Sequence, residues 1–159
     1  MAFRAIEYFK NDRVYLTEPA YKFHLDDERI YAPFGEFVDA KFTTKDSTAR
    51  KYRTLLLFQK VLAFHESDKN TTALIDADLR RLEFVHSGSV LDIKNELYEK
   101  ALNDLLTKHE SNPAYAEIAS QLGSHIFSRN NRYQPAPFQK QKTDNQDLNG
   151  KWDLSLIHI

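Results

Sequence analysis

The sequence predicts an all-α fold: an antiparallel array of helix hairpins behind an irregular N-terminal third. Three observations predict it. From Asp46 to Arg129, apolar residues recur at helical spacing in four successive stretches. Short polar clusters separate those stretches: Ser67-Asp68-Lys69-Asn70-Thr71, Ser87-Gly88-Ser89 and Asn112-Pro113. Large rings are abundant, with 8 Tyr and 11 Phe, and in a helical chain such rings fill the interfaces between packed helices.

Residues 1–45 form the irregular part. Ala2, Phe3, Ile6, Tyr8 and Phe9 read as the end of a helix running into Asn11-Asp12. Tyr21-Lys22-Phe23-His24-Leu25-Asp26 alternates with period two, which suits an extended segment or one edge strand after Pro19. Pro33-Phe34-Gly35 then punctuates the chain.

Residues 46–130 form the array. Asp46 or Ser47 is placed to cap a first helix running to Glu66, accepting from a free N–H of its first turn. Tyr52, Leu55, Leu56, Leu57, Phe58, Val61, Leu62 and Phe64 cover most of that helix, so it needs neighbours on more than one side. Asn70 or Thr71 caps the next, residues 72–86, which buries Ile75, Leu79, Leu82 and Val85 and leaves Asp76, Arg80 and Glu83 in water. Gly88 ends it, taking the left-handed conformation that helix ends often require. A third helix, Ile93 to His109, carries Tyr98, Ala101, Leu102, Leu105 and Leu106 on one stripe, with Lys94, Glu96, Glu99, Lys100 and Asp104 outside it. Asn112-Pro113 opens a fourth, with Tyr115, Ile118, Ala119, Leu122 and Ile126 at helical spacing to Arg129.

Residues 131–153 are polar, contain Gln134-Pro135-Ala136-Pro137, and read as a linker. Leu154-Ser155-Leu156-Ile157-His158-Ile159 coincides with one reading frame of the mosaic-end adapter used in transposase-based libraries. Residues 154–159 are therefore read as adapter translation, with the natural protein expected to continue past Asp153 and the tail expected to have no packing partner.

The array also shows a repeat register. Tetratricopeptide (TPR) units are helix pairs with a period of about 34 residues. With Ala116 at the first position of a unit, Leu122-Gly123 fall on its paired Leu-Gly positions and Ile126 on a large one. One period earlier, Ala101 and Leu105 take small and large positions and Pro113 the terminal proline. Gly88 misses its place by one residue and Lys108 replaces a small one. Small residues at Ala101 and Gly123 are expected to let helices approach closely. The array is thus TPR-like, a fragment of an α-solenoid.

Composition limits function. With 22 Lys+Arg against 23 Asp+Glu, the chain lacks the positive field that nucleic-acid or polybasic membrane binding needs. No apolar run approaches the ~20 residues of a membrane span. There is no cysteine, hence no disulfide, thiolate metal site or cysteine nucleophile, and four glycines leave little for phosphate-cradling loops.

No catalytic, cofactor-binding or metal-binding residue is assigned from sequence. His24, His65, His86, His109 and His125 are scattered without an i, i+4 pair, and His65-Glu66 lacks the second histidine of a zincin. Asp76, Asp78 and Glu83 read as ordinary exposed helix charges, with Asp76 and Arg80 an i, i+4 ion pair. Ser87-Gly88-Ser89 follows no strand and is no nucleophile elbow. Arg50-Lys51-Tyr52-Arg53 interleaves base and ring, but Tyr52 belongs to the core stripe.

The run Glu18-Pro19-Ala20-Tyr21-Lys22-Phe23 resembles bacterial alpha-2-macroglobulin family proteins. So do Asp46-Ser47 through Lys60, Ala63-Phe64-His65, Ala73 through Leu79 and Arg81-Leu82-Glu83-Phe84-Val85. Glu96-Leu97-Tyr98, Ala101-Leu102 and Asn112-Pro113-Ala114 fit the same place, the helical segment before the macroglobulin β-sandwiches of very large envelope members. The resemblance covers most of residues 1–133 and includes no catalytic motif. It implies a scaffold role, without a cofactor, in a protease (endopeptidase) inhibitor of the cell envelope or periplasm. The implied partners are the other domains of the same full-length protein and, through them, proteases, with no nucleic acid and no membrane contact by this segment. Without cysteine, the family's thioester has no counterpart here. Two alternatives stand beside it: a free-standing TPR-like peptide-binding adaptor of the cell envelope, and an accessory domain of an envelope enzyme.

Overall fold

Six α-helices and one 3₁₀ turn account for the computed structural model of the chain, which describes residues 2–10 and 21–130. They are α1 (Ala2–Lys10), the 3₁₀ turn Glu28–Tyr31, α2 (Phe34–Asp39), α3 (Arg50–His65), α4 (Thr72–Gly88), α5 (Lys94–Lys108) and α6 (Tyr115–Asn130). The fold is all-helical. Among the described residues there is no strand, and the alternating segment around Leu25 contributes one isolated parallel bridge to Ser89 instead of an edge strand. The linker 131–153 and the adapter-like tail 154–159 lie outside the described residues.

The chain divides into two units after Leu122, inside α6. In the first, α3 is the central element, with α1, α2 and α4 all packed on it. It buries Thr54, Leu55, Phe58, Val61 and Leu62, a single stripe at i, i+1, i+4, i+7 and i+8. Leu56 and Leu57 are half-buried, while Phe64 stays 73% exposed, so the apolar circumference is only partly covered. α5 packs on α4 in turn.

One core joins the N-terminal third to the array: Ile6, Leu25, Ile30 and Phe37 lie in the same cluster as Phe58, Ile75, Leu82 and Leu102. Each fully buried aliphatic or aromatic side chain contributes roughly 1.5–3 kcal/mol. Residues 2–10 and 21–45 therefore belong to the core despite their irregular pattern, with α2 and the 3₁₀ turn set between longer helices. In the second unit the described residues are the last turns of α6, where Ile126 is half-buried and Phe127 exposed.

The first cap differs from the sequence reading, and the second agrees with it. Asp46 does not cap α3, which starts at Arg50 behind Ala49 with no side-chain cap. Its carboxylate instead accepts from the Thr48 hydroxyl at 3.2 Å and the Phe23 amide at 3.4 Å, fastening the extended segment to the start of the array. At α4 the Asn70 side chain accepts from the Thr72 amide at 3.0 Å, and before α6 that of Asn112 accepts from Ala114 at 2.9 Å.

Gly88 also has another role than the one expected. No described residue has positive φ, so Gly88 does not end α4 by a left-handed turn. A Cβ there would come within 3.0 Å of the Leu25 side chain, and the absence of one lets the extended segment lie against the helix end. A Cβ at Gly123 would meet nothing within 4 Å.

Candidate functional site

Helix α4 carries a buried ion pair, Asp78 with Arg81. Asp78 is 2% exposed and Arg81 1%. The Arg81 Nε donates to Asp78 Oδ1 at 2.6 Å, Nη1 to the Ile30 carbonyl at 2.6 Å, and Nη2 to the Ala32 carbonyl at 3.1 Å. The guanidinium lies over the Phe37 ring, 4.4 Å from its centre. Each guanidinium nitrogen is thus used, as a buried charge requires. The consequence is geometric: the 3₁₀ turn and the start of α2 are held on α4.

That tie shapes a groove between residues 28–34 and α5. A cavity of about 130 Å³ at its inner end is bordered by Phe34, Leu82, Leu105 and the buried pair. A wider cleft of about 380 Å³ opens beside it, bordered by Glu28, Glu36, Leu97 and Lys100. The two share Tyr31, Ala32, Pro33, Ala101 and Asp104. Lys108 seats its ammonium on the Phe34 ring at 4.4 Å. Arg29 is held by Asp27 through contacts of 3.0 and 2.6 Å, and that side-chain hydrogen bonding keeps the Asp27 carboxyl below its ordinary range. Burial pushes the Tyr31 phenol up to about 12, with the Ser89 hydroxyl acting in the opposite direction.

Asp78 corrects the sequence reading of it as an exposed helix charge. Its neighbour Asp76 behaves as expected, pairing with Arg80 at 3.0 Å on the outer face of α4, where Glu83 is also exposed. The histidines are dispersed. His24 is exposed. His65 Nδ1 meets Asp68 Oδ2 at 2.7 Å just past the end of α3. His86 stacks on Tyr98 with ring centres 4.3 Å apart while its Nε2 meets Asn95 Oδ1 at 2.9 Å. Tyr98 accepts from Gln121 at 2.7 Å, and burial raises its phenol. His109 closes α5, and burial lowers it, with Lys108 adding to that and Asp78 opposing. His125 lies in the part of α6 beyond Leu122.

Among the described residues, no group of three His, Asp or Glu is placed to hold a metal ion. Nor is any helix there long and apolar enough to cross a membrane. In the basic-aromatic run at the start of α3, Arg50 lies over the exposed Tyr8 ring at 5.1 Å, Tyr52 donates to the Phe42 carbonyl at 3.1 Å, and Arg53 is exposed. Sequence reasoning did not find Arg81 or Gln59. Gln59 Nε2 donates to the carbonyls of Phe37 at 2.8 Å and Ala40 at 2.7 Å, closing the end of α2. The one available signal was an arginine at an inward-facing position of α4, between Ala77 and Val85.

No protein-family model, curated protein or solved structure matches this chain.

Proposed function

We propose that the chain is a non-catalytic helical scaffold and interaction module, the TPR-like segment of a large bacterial alpha-2-macroglobulin-like protease inhibitor of the cell envelope. The observation that carries the scaffold role is the use made of the deepest charges. Asp78 and Arg81 spend their hydrogen bonds on each other and on the Ile30 and Ala32 carbonyls, bracing one element on another. The family assignment rests on the resemblance of residues 18–23, 46–60, 63–65, 73–79, 81–85, 96–102 and 112–114. The TPR-like register rests on Ala101, Leu105, Pro113 and Leu122.

Reading the uninterrupted gene on both sides of this segment tests the family. Macroglobulin β-sandwich domains downstream are expected, and a stop codon soon after Asp153 would remove the inhibitor reading. In the complete protein, substituting His65 or Asp76 is expected to leave any activity unchanged. A loss with either would favour an accessory role in an envelope enzyme. The groove beside α5 favours a second reading, a peptide-binding adaptor of the cell envelope.

A further inference from the structure

The groove between residues 28–34 and α5 has two parts of different chemistry. The inner cavity, about 130 Å³, is walled mainly by Phe34, Leu82, Ala101 and Leu105. Its size is close to that of the ~150 Å³ apolar cavities that accept a benzene ring, so it suits one branched aliphatic side chain. The outer cleft is acidic. Glu28, Glu36 and Asp104 border it, and none of the three is within ion-pair distance of a basic group among the described residues. Two basic side chains border the outer cleft with them, Arg29, which is already held by Asp27, and Lys100, while Lys108 borders the inner cavity beside Asp104.

We propose that this groove binds an extended peptide segment of a partner protein that carries an aliphatic residue beside a lysine or arginine. The aliphatic side chain fills the inner cavity and the cation lies among Glu28, Glu36 and Asp104. The shared walls make the two spaces continuous, so neighbouring residues of one extended chain reach both. The floor is fixed before binding by the Arg81 bonds to Ile30 and Ala32, which lowers the ordering cost of association. A footprint this small, with a solvated charged rim, implies affinity on the order of 0.1–1 mM. The inference rests on the interaction-module reading and not on the inhibitor family, so a stop codon after Asp153 would leave it standing.

The test uses the whole chain and three fluorescent, end-blocked hexapeptides with central Leu-Lys, Leu-Glu or Ser-Lys in an alanine background, followed by anisotropy. The Leu-Lys peptide is expected to bind at least about fivefold tighter than either of the others. Glu28→Lys with Glu36→Lys, both on exposed positions, should reverse the preference toward Leu-Glu with an unchanged melting curve. Ala101→Trp, at the junction of the two spaces, should abolish binding. Equal affinity for the three peptides, a preference untouched by the charge reversal, or no saturable binding of the Leu-Lys peptide would each overturn the proposal.

Discussion

Helix α4 carries two Asp–Arg pairs within six residues, and they do different things. Asp76 and Arg80 sit at i, i+4 on the outer face, with side chains 35% and 51% exposed and a 3.0 Å contact. Asp78 and Arg81 sit at i, i+3 on the inner face, 3% and 1% exposed, at 2.6 Å. The chemistry and the helix are the same, and surroundings decide the rest. Water solvates the outer ions whether or not they meet, so their contact adds little. The inner ions have lost that water, and each is tolerable only while the other and the two carbonyls remain in place. The outer pair decorates the helix; the inner one organises the fold around it.

The largest expected effect comes from breaking the inner pair on one side. Arg81→Met keeps much of the volume but strands the Asp78 carboxylate and the carbonyls of Ile30 and Ala32. A loss of about 3–5 kcal/mol is expected in chemical denaturation. The double variant Asp78→Leu with Arg81→Met should recover part of it, since no buried charge is then left unpaired. A double variant as unstable as the sum of the singles would show that the pair acts by packing alone.

Gln59 sharpens the comparison by replacing charge with a neutral amide. It ties α3 to the end of α2 much as Arg81 ties α4 to the 3₁₀ turn, through carbonyls at 2.7 and 2.8 Å. Gln59→Ala should cost about 1–3 kcal/mol, less than the Arg81 variant, because the groups left behind are uncharged. A cost equal to that of Arg81→Met would mean that bracing, and not buried charge, sets the scale.

These ties also explain which parts of the fold were legible in the sequence. The stripes Ile75-Leu79-Leu82-Val85 and Tyr98-Leu102-Leu105 repeat over several turns, and both lie buried or half-buried as their periodicity indicates. α2 spans only Phe34–Asp39, too short for a period to show, and it is held by Gln59 from a separate helix. The inner pair was hidden for a similar reason. Asp76-Arg80 offered an equally good local pattern, while the partners that mark Arg81 as buried lie 51 and 49 residues away. Asp46 had the composition of a cap, but its carboxylate is engaged by Phe23, 23 positions earlier. The groove combines α5 with residues 28–36, so no single stretch of sequence contains it.

A smaller effect tests whether the inner charge is felt beyond its partner. His109 is lowered by burial and by Lys108, while Asp78 pulls it the other way. Asp78→Asn should therefore move the His109 titration, followed by NMR, further below its ordinary value. In the native protein a lowered imidazole binds its proton less readily folded than unfolded. Its contribution to stability is present above the ordinary value of 6.5 and is lost as pH falls through the folded value. His109→Gln should flatten that part of the stability–pH curve. An unmoved His109 titration in Asp78→Asn would confine the inner charge to Arg81 and the carbonyls.

The smallest effect belongs to the outer pair, and it needs two variants because Arg80 has a second contact. Its guanidinium lies over the Phe3 ring of α1 at 4.9 Å. Asp76→Asn removes only the ion pair and should cost about 0.2–0.5 kcal/mol, a difference that disappears in molar salt. Arg80→Ala removes the ring contact as well, adding about 0.5–1 kcal/mol. That added part should persist in salt, because it depends on the guanidinium covering the ring at close range more than on a screened charge. If Asp76→Asn were as damaging as Arg81→Met, exposure would not be what separates the two pairs. If Arg80→Ala matched Asp76→Asn at every salt concentration, α1 would gain nothing from α4 through Phe3.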